Sequence, residues 1–233
     1  MGAFLAMMKR IHIRSIFAAL VLMTLVACSN TGPSPLVETF RTIVAQKAIR
    51  DPAVRDARSV LTPSLIATIK QPYLLVEIPS RQASATRILF QERGPVQDWR
   101  AEDGISVILR NDILIGTRGL GADLLAADPP SADLLRSGRD AAYTRVYRHL
   151  DAENRVVTQR YRCSIETGEI AQVDLIARQV ETRRIIETCQ SADAANAPVI
   201  NQYWTGISDG LMWKSRQWVG PSVEYATFYH LVR

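Results

Sequence analysis

The chain has 233 residues, 47% hydrophobic and 22% charged, with 28 Lys+Arg against 23 Asp+Glu. The basic excess is not a nucleic-acid signature: three of the cations lie in the first 14 residues, and residues 28–233 carry a net charge of only +2. That span suits one sizeable domain or two small ones, and none of its apolar runs approaches the ~20 residues that cross a bilayer as a helix.

Lys9, Arg10 and Arg14 form a basic N-terminal region, and no acid precedes Glu38. Residues 15–27 follow as a mostly apolar run of 13 residues, too short to span a hydrocarbon core. A basic flank, a short apolar run and small residues at its exit predict a secretory signal over residues 1–27. The exit, Leu25-Val26-Ala27-Cys28, resembles the lipobox of bacterial lipoproteins. That resemblance implies a Cys28 that is acylated and becomes the new N-terminus. Two or more acyl chains hold a protein stably on a membrane. By the same resemblance, Ser29 in place of Asp implies the outer membrane, with the body facing the periplasm. An ordinary signal peptide with an incidental cysteine is the alternative. Export implies an oxidising compartment, so Cys163 and Cys189 are expected to form a disulfide. A metal pair is the alternative, but residues 28–233 hold only His149 and His230 as nearby-ligand candidates. Neither a cofactor nor a metal is expected.

Residues 28–34 read as a polar tether, and 35–233 as a single β-rich domain. Ser34 and Pro35 make an N-cap and a first-turn proline. Leu36, Val37, Phe40, Ile43, Val44 and Ala48 recur at helical spacing, predicting a helix over 35–50 that Asp51-Pro52 ends. A short helix is possible near 64–69. From Gln71 onward, β-rich runs alternate with turn signals. They fall at 73–78, 86–92, 96–100, 105–110, 113–117, 143–150, 155–165, 170–179, 180–189, 211–219 and 222–232. Asn111 and Asp112 suit a two-residue hairpin turn, and Thr167-Gly168 reads as another turn. Residues 120–127 (LGADLLAA) read as a short helix, and 133–135 as a further helical turn. With about ten strands at hairpin spacing and no βαβ rhythm, the expected class is mainly β. The expected architecture is an antiparallel sandwich or barrel-like sheet with an N-terminal helix and one or two short helices.

The chain contains no G-x-S-x-G elbow, HExxH or P-loop. Gly116-Thr117-Arg118-Gly119-Leu120-Gly121 lacks the dinucleotide spacing and reads as a turn, with Asp123 bracing it. Asp174, Glu181 and Glu187 could supply a carboxylate pair for glycoside cleavage, but surface charge is the default reading. The most distinctive segment runs from Asn201 to Pro221 and holds three of the four tryptophans. On a regular strand Trp213, Ser215 and Gln217 face one way, and Met212, Lys214, Arg216 and Trp218 the other. Trp rings beside Arg and Gln can stack on sugar faces or fill a barrel core. Trp213, Arg216 and Trp218 are the candidate contacts for a glycan or partner.

The lipobox, the stretch Gly-Thr-Arg-Gly-Leu-Gly-Ala-Asp-Leu at 116–124 and the stretch Trp-Lys-Ser-Arg-Gln-Trp-Val-Gly-Pro at 213–221 resemble the YjbF/GfcB family of group 4 capsule lipoproteins. The resemblance covers roughly residues 36–231. It implies a mostly β, barrel-like fold and a non-enzymatic role in assembly or export of exopolysaccharide. It assigns no catalytic residue. The expected partners are the outer membrane through the anchor, and a glycan or a polysaccharide export channel. A lipid- or lipoprotein-binding half-open barrel is the alternative function.

Overall fold

The computed structural model describes residues 56–233, apart from 102, 103, 138, 140, 152, 192 and 194–196. The expected signal peptide, the lipidation site expected at Cys28, the expected tether and the helix expected over 35–50 lie outside the described residues.

Twelve strands form one antiparallel sheet: β1 (Tyr73–Ile78), β2 (Ala83–Arg93), β3 (Val96–Arg100), β4 (Ser106–Arg110), β5 (Ile113–Arg118), β6 (Leu124–Ala127), β7 (Ala141–Leu150), β8 (Val156–Asp174), β9 (Gln179–Ser191), β10 (Val199–Gly206), β11 (Met212–Gly220) and β12 (Glu224–Val232). Their spatial order is 5-4-3-2-1-12-11-10-9-8-7-6. Two meanders, β1–β5 and β6–β12, are thus joined where β12 pairs with β1. The free edges, β5 and β6, approach each other and nearly close a barrel. No ladder seals that seam. Instead the Leu124 N–H donates to Thr117 Oγ1 at 3.0 Å, and Arg118 Nη1 donates to the Leu124 carbonyl at 3.3 Å.

Two short helices accompany the sheet, α1 (Pro63–Thr68) and α2 (Ala132–Ser137). Thr62 caps α1 through Leu65 N, and Pro63 occupies its first turn. Neither helix among the described residues is long and apolar enough to cross a membrane. Side chains fill the barrel. Trp99, Tyr147, Phe228 and several leucines make the main core. At one end Leu135 of α2 packs with Ile113, Ile165, Ile185, Tyr203 and Met212.

The Asn111-Asp112 hairpin forms as expected, with φ of 49° and 67° at its two residues, the left-handed pair that a type I′ turn needs. Three local readings are corrected. Residues 120–127 are not a helix: Leu124–Ala127 pair with β7, placing Leu124 opposite His149 and Ala127 opposite Tyr147. The high helix propensity of Leu and Ala gives way to burial at a barrel edge. Thr167-Gly168 is not a turn: β8 runs on to Asp174, and a bulge shifts its register between Thr167 and Ile170. A Cβ on Gly168 would stand 3.2 Å from the Arg184 carbonyl oxygen, so glycine permits that close approach. The real β8–β9 turn contains Ile176 at φ 70°, held by its N–H donating to Asp174 Oδ1 at 2.7 Å. Finally, β6 and β10 raise the strand number above the expected ten or so.

Candidate functional site

The most concentrated chemistry lies inside the wall formed by β7–β10. Strand alternation points Arg145, Tyr147 and His149 of β7 inward, in phase with Tyr161 and Cys163 of β8. Glu187 of β9 and Asn201 and Tyr203 of β10 point into the same space. Arg145 and Glu187 are both fully buried, and Arg145 Nη1 lies 2.5 Å from Glu187 Oε2. The same carboxylate oxygen accepts from Tyr203 Oη at 2.7 Å and Asn201 Nδ2 at 2.6 Å. Its other oxygen accepts from the Tyr143 hydroxyl. Arg145 Nη1 also donates to Tyr203 Oη at 3.1 Å, and its guanidinium lies 4.7 Å from the Tyr147 ring centroid. A buried ion pair is tolerable only when the remaining lone pairs are occupied in this way.

The environment keeps Arg145 charged and the neighbouring phenols protonated. Burial alone would push the Arg145 guanidinium down, but the Glu187 carboxylate and the Tyr147 and Tyr203 oxygens more than offset it. Burial, and then the Glu187 charge, raise Tyr143 and Tyr203. Such phenols donate hydrogen bonds and do not serve as bases near neutral pH.

Cys163 and Cys189 form the expected disulfide, across directly paired positions of β8 and β9. The sulfurs lie within 4.8 Å of a Glu187 oxygen; bonded to each other, they offer no thiolate to a metal.

The three residues of the Trp-rich motif do not share one surface. Trp213 is buried, donates to Asp209 Oδ2 at 3.0 Å, and has the guanidiniums of Arg178 and Arg233 4.2 and 5.2 Å from its ring centroid. Arg216 is half-buried and stacks on Tyr225 at 3.6 Å, on the outside. Trp218 was expected on the Arg216 face of a regular strand, but it turns into the core. Its ring packs edge-on against Tyr147 and His149, with centroids 4.9 and 4.8 Å away. The β10–β11 register ends at Gln202 opposite Arg216, and beyond it the Trp218 N–H donates to Asn201 Oδ1 at 2.7 Å. A bulge follows between Trp218 and Gly220. Gln217 faces inward, where its Oε1 accepts from Leu114 N at 2.8 Å and its Nε2 donates to Ser215 and to the Asp112 carbonyl.

Glu187 is therefore not a surface carboxylate, and it cannot pair with the exposed Asp174 or Glu181. Glu181 lies six residues away along β9, roughly 20 Å. Asp123 braces its turn as expected: its carboxylate accepts from Thr117 Oγ1, Gly119 N and Leu120 N at 2.9–3.0 Å. The buried network was missed in the sequence. The signal for it was Arg145 falling in phase with Tyr147, Tyr161 and Cys163, which marks a cation on the inward face.

No curated protein matches the sequence. Among solved structures, the crystal structure of a hypothetical lipoprotein, YmcC, from Escherichia coli (K12) is similar. It is 16% identical, with a TM-score of 0.70 over 87% of this chain and 98% of that chain. At that identity the likeness speaks for the fold alone. The pattern of the family described as group 4 capsule polysaccharide lipoprotein gfcB, YjbF, matches residues 37–231, which include all twelve strands but for the last residue of β12. The chain therefore belongs to the YjbF family of group 4 capsule polysaccharide lipoproteins.

Proposed function

We propose that this protein is a non-enzymatic lipoprotein of the outer membrane that assists assembly or export of an exopolysaccharide or group 4 capsule. Acyl chains on Cys28 hold it there, and its β domain faces the periplasm. The observation that carries this reading is the extent of the family match, which runs through the whole barrel and is not confined to one grafted motif.

The geometry supports a body that works through its surface. The interior is packed with Trp99, Tyr147, Tyr203, Phe228 and leucines. Among the described residues the one buried carboxylate with a charged partner, Glu187, is saturated by that partner and by hydrogen bonds. An acyl chain would have to displace these side chains, which argues against the lipid-binding alternative. Of the motif residues, Arg216 reaches the outside, where a glycan or an export channel could meet it.

The test is secreted and periplasmic polysaccharide in a deletion strain complemented with wild-type protein or with Cys28→Ala. Secreted glycan is expected to fall on deletion and to recover only with the lipidated form. Unchanged output in the deletion strain would remove the export reading.

A further inference from the structure

The outer face of β7 and β8 carries three arginines against two exposed carboxylates, Asp128 beside Arg148 and Glu166 four residues beyond Arg162. Since Arg145, Tyr147, Tyr161 and Cys163 point inward, Thr144 and Arg148 of β7 and Thr158, Arg160, Arg162 and Ser164 of β8 point outward. Arg148 pairs with Thr158, one diagonal step from Arg160; Arg162 pairs with Thr144 on one side and Gln190 of β9 on the other. Successive arginines, Arg148 to Arg160 and Arg160 to Arg162, therefore start about 7 Å apart on a rigid sheet, and the row spans about 14 Å.

Arg148 has one carboxylate near it, Asp128 at 3.9 Å, with the two side chains 41% and 61% exposed. Such a pair contributes little. Arg160 and Arg162 are exposed, and their side chains make no hydrogen bond, ion pair or ring contact among the described residues. Four other arginines of the barrel are neutralised, Arg100 by Asp98, Arg155 by Asp151 and Glu153, Arg184 by Glu169, and Arg233 by Asp112; Arg110 and Arg183 also have no ion pair among the described residues, but they do not stand beside a second such arginine on one face.

We propose that this arginine face binds an acidic polysaccharide, with Arg148, Arg160 and Arg162 gripping carboxylates along a uronate-bearing chain. The proposal rests on the export reading and gives it a contact surface and a substrate class. A guanidinium fork matches a carboxylate in two parallel hydrogen bonds. Thr144, Thr158, Ser164 and Gln190 stand between and beside the arginines and offer hydroxyl and amide groups to sugar hydroxyls. A bilayer surface is a poorer match. It is held by cations interleaved with bulky aromatic or leucine side chains, whereas the apolar residues among the arginines here are limited to the half-buried Val146, with Leu150 and Val156 only at the hairpin end.

The mature lipidated protein in detergent is titrated with fluorescent polygalacturonate and with dextran, and its Cys28→Ala form, which has no acyl chains to insert, with phosphatidylglycerol nanodiscs. Beside it are tested the Arg148→Gln/Arg160→Gln/Arg162→Gln variant and the milder Arg162→Gln, each checked for wild-type circular dichroism. Polygalacturonate is expected to bind and dextran not. The triple variant should bind roughly tenfold or more weakly, and added salt should weaken the wild type. The proposal is overturned if the triple variant binds polygalacturonate like the wild type, if dextran binds equally well, or if the variants lose only nanodisc binding, which would assign the face to the membrane. The two readings fail separately. Arginine-dependent binding with unchanged glycan output on deletion removes export and keeps the site; lost output with arginine-independent binding does the reverse.

Discussion

Arg145 and Glu187 place two full charges where no water reaches them, and neither is tolerable there without the other. Removing one partner leaves an uncompensated charge in the core, at a cost of about 3–5 kcal/mol; replacing both with apolar residues of similar volume is often neutral. Glu187→Leu is therefore expected to lower the urea midpoint strongly, and Arg145→Met/Glu187→Leu to restore most of it. A double variant no more stable than the single one would show that the network is needed for more than mutual neutralisation. The same reasoning explains why the site was hard to read in the sequence. Arg145 and Glu187 are 42 residues apart, and only the β7–β8–β9–β10 pairing brings them together. In the sequence each is one of many charges. Trp218 failed differently: its alternation was read correctly, but β11 is irregular where β10 leaves it.

At the scale of elements, the family's glycine-rich stretch is the joint that brings β6 beside β5. Gly119 and Gly121 adopt φ of 86° and 92°, which side-chain-bearing residues rarely take. Asp123 then satisfies two backbone N–H groups and one hydroxyl. Asp123→Ala leaves those donors without that carboxylate and should cost about 2 kcal/mol. Hydrogen exchange should show faster opening of β5 and β6 than of the distant β1–β12 pair; uniform opening would mean that the joint does not hold the seam. Strands with clear alternation and glycine or Asx turns, such as β3–β5, were legible from sequence. The β8–β9 turn was not, because Leu175-Ile176-Ala177-Arg178 has no residue type that prefers a turn, and Asp174 compels the left-handed Ile176. The joint itself was misread as leading to a helix, since only pairing with β7 makes 124–127 extended.

For the whole molecule, two histidines packed in the barrel make stability depend on pH. His149 is buried beside Tyr147 and Trp218 with no hydrogen-bond partner on either ring nitrogen, and burial pushes it down to about 4. Burial likewise pushes His230 down to about 4, opposed by Asp112 and reinforced by Arg233. Unfolded histidines titrate near 6.5. Between about pH 6.5 and pH 4 the unfolded chain therefore binds more protons than the folded one, so stability falls as pH drops through that window. Each histidine contributes about 2–3 kcal/mol by pH 4. The urea midpoint should fall between pH 7.5 and pH 5, and His149→Phe should reduce that drop by roughly half. An equal drop in the variant would mean that His149 is not buried neutral.

The sequence by itself determined the local properties of this protein. It marked the strand alternation, the Asn111-Asp112 turn and the Cys163–Cys189 bond. These depend on neighbours along the chain or on composition. Tertiary structure alone decided that the sheet curls until β5 meets β6, that Arg145 and Glu187 share one buried network, that Trp218 turns inward, and that Arg160 and Arg162 stand outside unpaired. Each of these is a question of which distant residue lies opposite. Alternation says that a side chain has one of two faces, and only closure of the barrel decides what waits on each.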